Sequence, residues 1–216
     1  MNIKFSIVIL IVLSFLNIGA ISNKVNNAKN SFSVLETNIT NISEFQENGA
    51  KLQYKTRDNI GKESARIKEY LTNNINGSYR EINKNQFEIF NNNFYTNIKM
   101  WCEDKYTYVE ITLINKSAKY TTVDLKTILE KSENKKSENK QYFFYYEGKE
   151  KGLDNNYSID KLAKENNIQK TNLLNINNGY TGTGYLNNGD KVNFALTKYN
   201  TGSYIIIGTP IIFATY

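Results

Sequence analysis

The chain predicts an α+β fold made of two similar helix–strand–helix–strands units, with antiparallel sheets and helices on one face. Three observations predict it. Segments with apolar residues at helical spacing open each half, and strands that alternate apolar and polar side chains follow them. The order then starts again. The Asn91–Asn93 turn matches Asn177–Gly179, and Lys105-Tyr-Thr-Tyr-Val109 matches Lys191-Val-Asn-Phe-Ala195, both at an offset of about 86 residues.

The elements follow in order. Lys4, an apolar run from Phe5 to Leu16 and the small residues Gly19-Ala20-Ile21-Ser22 make residues 1–22 a signal peptide or N-terminal anchor. A spanning helix needs about 20 apolar residues, more than this run supplies. The expected location is therefore extracytoplasmic, secreted or anchored by the N-terminal segment, which is also the only predicted membrane contact.

The first unit is expected over 31–118. Phe32, Leu35, Ile39, Ile42 and Phe45 recur in steps of three and four, which predicts a helix over 30–47 closed by Asn48-Gly49. Leu52, Tyr54 and Thr56 alternate as a strand, and 62–74 reads as a second helix ending near Asn76-Gly77. Strands follow at 86–90, 94–101 and 105–114, with Glu103-Asp104 as a turn.

The second unit is expected over 119–216. Val123, Leu125, Ile128 and Leu129 mark a helix over 121–132. The tandem pentapeptide Lys131-Ser-Glu-Asn-Lys135 and Lys136-Ser-Glu-Asn-Lys140 reads as a solvated polar linker over 131–140, at the boundary between halves. Tyr142–Tyr146 is an aromatic strand. It is either buried on both faces or a platform on which sugars or bases stack. Ser158 is an N-cap for a short helix, and Asn188-Gly189 and Thr201-Gly202 are hairpin turns before a last strand over 203–213. That strand contains Pro210, which cannot donate to a ladder and so belongs at an edge or bulge. The second unit thus carries one strand more than the first.

Composition narrows the chemistry. At 40% hydrophobic and 13% aromatic, the chain has enough apolar surface for a core. It contains no histidine, which removes Ser-His-Asp and Cys-His catalysis and most zinc sites. Cys102, the one cysteine, forms no internal disulfide and reads as a small buried hydrophobe rather than a reactive thiol. An exported chain without disulfides suits a bacterium with a single membrane. Gly182-Thr-Gly184 lacks the context of a dinucleotide loop and reads as a place where neighbours pack closely on a strand. Glu103, Glu110 and Glu147 are acids of the kind glycoside hydrolysis uses, but nothing pairs any two of them. No catalytic, cofactor-binding or metal-ligating residue is set apart, no cofactor is expected, and the ligand-binding residues stay open.

The net charge is +6, of which the leader supplies only Lys4. A modest basic excess favours anionic partners, but no block of Lys and Arg forms a nucleic-acid patch. Tyr106, Tyr108, Glu110 and Thr112 alternate along one face of their strand without a basic residue.

Lys191-Val-Asn-Phe-Ala-Leu-Thr-Lys-Tyr-Asn200, Tyr204-Ile-Ile-Ile-Gly-Thr-Pro-Ile-Ile212 and the terminal Tyr216 resemble the ending of the YwmB family. Asn48-Gly-Ala-Lys-Leu52 also looks like that family, and the resemblance spans about 30–216. It implies an exported protein of spore-forming bacteria with a doubled architecture like that of the TATA-box-binding protein. Architecture does not carry function with it. The expected function is that of a non-enzymatic binding or assembly factor at the membrane–wall interface, in envelope or spore-wall formation. Its expected partner is an envelope component or anionic wall polymer. The alternatives are a nucleic-acid-binding protein of TATA-box-binding-protein-like type and a wall-modifying enzyme.

Overall fold

The computed structural model describes residues 31–151 and 158–213. Residues 1–22, expected to be a leader, and the terminal Tyr216 lie outside the described residues. The first half runs α1 (Ser31–Ile42), β1 (Ser43–Thr56), α2 (Ile60–Ile75), β2 (Ser78–Asn83), β3 (Gln86–Phe90), β4 (Phe94–Glu103) and β5 (Tyr106–Asn115). The second runs α3 (Thr122–Lys131), β6 (Glu138–Glu150), α4 (Ile159–Glu165), β7 (Gln169–Ile176), β8 (Gly179–Tyr185), β9 (Lys191–Tyr199) and β10 (Gly202–Thr209).

The fold is α+β, as expected, but the strands form one ten-stranded antiparallel sheet rather than separate sheets. Its order is β2-β3-β4-β5-β1-β6-β10-β9-β8-β7. β1 and β6 meet at the centre, with Ala50 opposite Phe144 and Gly49 opposite Tyr145. The two longest strands thus join the halves, through a ladder that leaves no boundary between them.

Alternation along each strand sorts side chains between two faces. Ala50, Leu52, Tyr54, Ile98, Val109, Ile111, Leu113, Phe144, Tyr146, Phe194, Ile205 and Ile207 share one face. They form one core with Phe32, Leu35 and Ile39 of α1, Ile67 and Leu71 of α2, Leu125 and Leu129 of α3, and Leu162 of α4. Each large apolar side chain so buried contributes about 1.5–3 kcal/mol. The described helices therefore all cover the same face, and no helix among the described residues is long and apolar enough to cross a membrane.

Several boundaries differ from the sequence expectation. The first helix stops at Ile42, and Asn48-Gly49 lies inside β1. Phe45 keeps the helical spacing but belongs to the strand, where its ring packs on Tyr146. Asn76 ends α2 as expected, in a left-handed conformation at φ 50°. β2 was not foreseen: every residue in it is exposed, so no alternation marks it. With β2 counted, each half has five strands.

The matched landmarks at an offset of about 86 also occupy different places. The Asn91–Asn93 turn joins β3 to β4, whereas Asn177-Asn178 joins β7 to β8; Lys105 precedes β5, whereas Lys191 opens β9. Within 131–140, Lys131 ends α3 and Glu138 opens β6, so the connection between them is 132–137. That segment is not wholly solvated: Ser132 is fully buried, and Asn134 Nδ2 donates to Glu63 at 2.9 Å. The last strand ends at Thr209, directly before Pro210, whose peptide bond is cis. Pro210 therefore follows the ladder instead of sitting within it.

Candidate functional site

Among the described residues, the second face of the sheet carries no helix. At its centre, Gly49 of β1 lacks a side chain, and the Tyr145 ring from β6 occupies that place; a Cβ there would overlap the ring. The Tyr145 hydroxyl donates to Glu47 Oε1 at 2.5 Å. Burial, then the neighbouring Glu47 charge, pushes this hydroxyl well above its ordinary range, so it stays protonated and remains a donor.

Glu47 stands directly opposite Glu147 across the central ladder. Burial, and then the charge of Glu47, raises the Glu147 carboxyl above its ordinary value. Glu147, of the three acids named from the sequence, thus faces another acid across a ladder. Glu47 was missed because pairing across a sheet leaves no local spacing to read. Glu110 is instead neutralised: Lys51 Nζ lies 3.7 Å away and Gln53 donates to it at 2.6 Å. Glu103 is exposed at the end of β4.

The chain beyond β10 doubles back over this face. Gly208 has no room for a side chain because Ile211 and Ile212 cross above it. Phe213 then packs edge-on against Tyr145, with ring centroids 4.9 Å apart, and Lys51 Nζ lies 5.1 Å from the Phe213 centroid. Phe143, Tyr145, Ala195 and Ile206 are buried on this side. The aromatic run 142–146 is thus buried on both faces, and the second cover is the terminal segment rather than another sheet.

Away from the centre, no described element covers the face. Trp101 of β4 stacks on Tyr108 of β5 with ring centroids 5.5 Å apart and planes 9° apart. Lys55 Nζ sits 4.1 Å from the Tyr106 centroid, and Arg57 Nη2 donates to the Tyr106 hydroxyl at 3.3 Å. Register places Lys51 beside Thr112, Lys55 beside Tyr108 and Lys99 beside Glu110. The tyrosine row of β5 therefore does have basic neighbours, supplied by the adjoining strands. Cations and acids alternate across the face instead of forming a continuous basic stripe.

The remaining sequence candidates are structural. Cys102 is exposed near the end of β4, opposite Thr107 of β5, and is not the buried hydrophobe expected. Gly182 and Gly184 admit Phe194, Leu173 and Ile168 to their strand, as the packing interpretation required. On the helix side, Glu63 is buried and receives hydrogen bonds from Tyr54, Arg66 and Asn134. Glu36 joins α1 to the start of α3 by accepting from the Thr122 hydroxyl at 2.5 Å and from Asn48 at 3.2 Å. No family model matches the chain, and no curated protein matches it in sequence.

Proposed function

We propose that this chain is an exported, non-enzymatic binding or assembly factor of the bacterial envelope, and that the helix-free face of its sheet is the binding surface. One observation carries the proposal: a broad sheet face that no described element covers outside its centre, with aromatic rings and amines interleaved on it. Such a surface suits an extended, anionic, hydroxyl-rich polymer better than a small molecule, because rings stack on apolar faces while amines meet the charges. The leader over 1–22 and the resemblance to the YwmB family support export and a place at the membrane–wall interface.

The same reading includes the duplication. In each half the first strand is innermost, followed outward by the fifth, fourth, third and second. That shared order supports two copies of one unit arranged as in the TATA-box-binding protein, with β1 equivalent to β6 and β5 to β10.

Trp101 is the one tryptophan and stands on the proposed surface, so its emission reports on occupancy. Titrating the full chain with purified anionic wall polymer should give a saturable change, weakened at least several-fold by Lys55→Glu with Lys99→Glu. A flat titration sinks the ligand class. Export is tested separately by fusing residues 1–30 to a reporter active only outside the membrane, where a dark but well-expressed fusion would remove the location.

A further inference from the structure

The two ends of the sheet are built differently. β2, at one end, is guarded in the ways that keep edge strands apart. Arg80 pairs with Glu88 on β3, Lys68 Nζ lies 3.4 Å from the Tyr79 centroid, Glu81 adds a charge, and the register shifts between Glu81 and Asn83. β7, at the other end, has only Lys170 and one register shift of this kind. No charged side chain occurs from Thr171 to Gly189, so apart from Lys170 the β7–β8 hairpin is neutral in a chain that is 22% charged. The irregularity of β7 is confined to its start, between Gln169 and Asn172, and Thr171 to Ile176 contains no proline. Leu174 is 60% exposed, and Tyr180 and Tyr185 on the same hairpin are 47% and 44% exposed. Among the described residues nothing pairs with the outer side of β7.

We propose that β7 is a dimerisation edge, on which a second copy of this chain adds its own β7 antiparallel to form a continuous twenty-stranded sheet. The occupant follows from charge and symmetry. A two-fold axis perpendicular to the sheet keeps the helix-free faces of both copies on one side, and requires the strand to complement itself. A register centred on Leu174 sets that side chain against Leu174 of the partner subunit. Asn172 then meets Ile176 of the partner subunit, and Lys170 meets Asn178 of the partner subunit, so no like charges oppose. A charged partner would find no countercharge from Thr171 to Gly189. The short ladder makes the association concentration-dependent rather than permanent, because interfaces of this size are weak. The inference goes beyond the binding reading and does not depend on it; joined edges would double the length of the proposed surface.

Sedimentation velocity of the full chain from about 1 to about 100 μM brackets micromolar affinities. A shift from monomer to dimer is expected across that range, with amide-exchange protection of 171–176 rising in parallel. Leu174→Lys places like charges at the dyad and should shift the midpoint at least tenfold, without changing the melting temperature, since the side chain is exposed. Leu174→Glu should do the same, and an equimolar mixture of the two variants should regain the dimer. A wild-type chain that stays monomeric throughout overturns the proposal. So does a dimer that Leu174→Lys leaves intact, or a mixture that fails to reassociate.

Discussion

At the residue scale, two positions show how a side chain, or its absence, sets the local structure. Gly49 stands where a chain read locally would end a helix, yet its role is to admit the Tyr145 ring across the central ladder. In a strand, Gly→Ala ordinarily stabilises by restricting the unfolded chain. Here the added carbon meets a ring held by Glu47 and Phe213, so Gly49→Ala should instead cost about 1–3 kcal/mol, as overpacking does. Urea unfolding would show a lower midpoint; an unchanged or higher one refutes the role given to Tyr145. Glu63 is the second position. Burial alone would raise its carboxyl, but hydrogen bonds from Arg66, Tyr54 and Asn134 more than offset this and hold it below its ordinary value of 4.5. A depressed acid contributes stability that is present above about pH 4.5 and is lost as pH falls through the folded-state value. Glu63→Gln should therefore cost about 2–3 kcal/mol at pH 7, because Arg66 is left with less than its partner but keeps some access to water. The difference between the two proteins should shrink in acid. Equal gaps at pH 7 and pH 3 would contradict the ion-pair account.

At the scale of elements, local chemistry and tertiary context divide the credit. The end of α2, the α4 N-cap, the Asn188-Gly189 hairpin and the strong alternation of β5 were legible because each depends on residues within a turn of one another. The end of α1 was not. Phe45 continues the helical spacing by coincidence, and only the pairing of Ser43–Thr56 with two neighbours shows that this stretch is a strand. β2 was illegible for a different reason: an edge strand with both faces wet carries no burial pattern. The helix-free face was equally hidden, since Glu47, Lys51 and Lys99 come together across strands. The α3 start offers a local test. Thr121 accepts from the Asp124 N–H at 3.3 Å, and Asp124 returns the bond to the Thr121 N–H at 2.8 Å. Removing the hydroxyl in Thr121→Ala should cost about 1 kcal/mol. Asp124→Ala should cost a similar amount, and the double variant should lose less than the sum, because both break one reciprocal box. Strict additivity in thermal melts would show that the two contacts act independently.

For the whole molecule, the decisive property is how charge is spread over the helix-free face. A sheet face binds duplex DNA tightly only if its cations are available to phosphates. Here Lys51 lies against Glu110, Arg80 against Glu88 and Arg57 against Glu138, and the central ladder presents Glu47 and Glu147. The middle of the face is further closed by Ile211–Phe213, where a bent duplex would have to enter. Most cations of this face are thus paired with acids, and those left for an anionic polymer, Lys55 and Lys99, are too few to make a stripe. Each phosphate neutralised by a protein cation releases counterions and steepens the salt dependence of binding, so a face of compensated pairs should give a shallow slope. The full chain should bind duplex DNA no tighter than the usual non-specific range of about 10⁻⁴–10⁻⁶ M at physiological salt. It should show no preference for A/T-rich over mixed sequence. Anisotropy titrations of labelled duplexes at two salt concentrations measure both the affinity and the slope. Nanomolar, sequence-selective binding with a steep slope would mean that the acids are displaced from their partners on binding, and would make nucleic acid the ligand of this face.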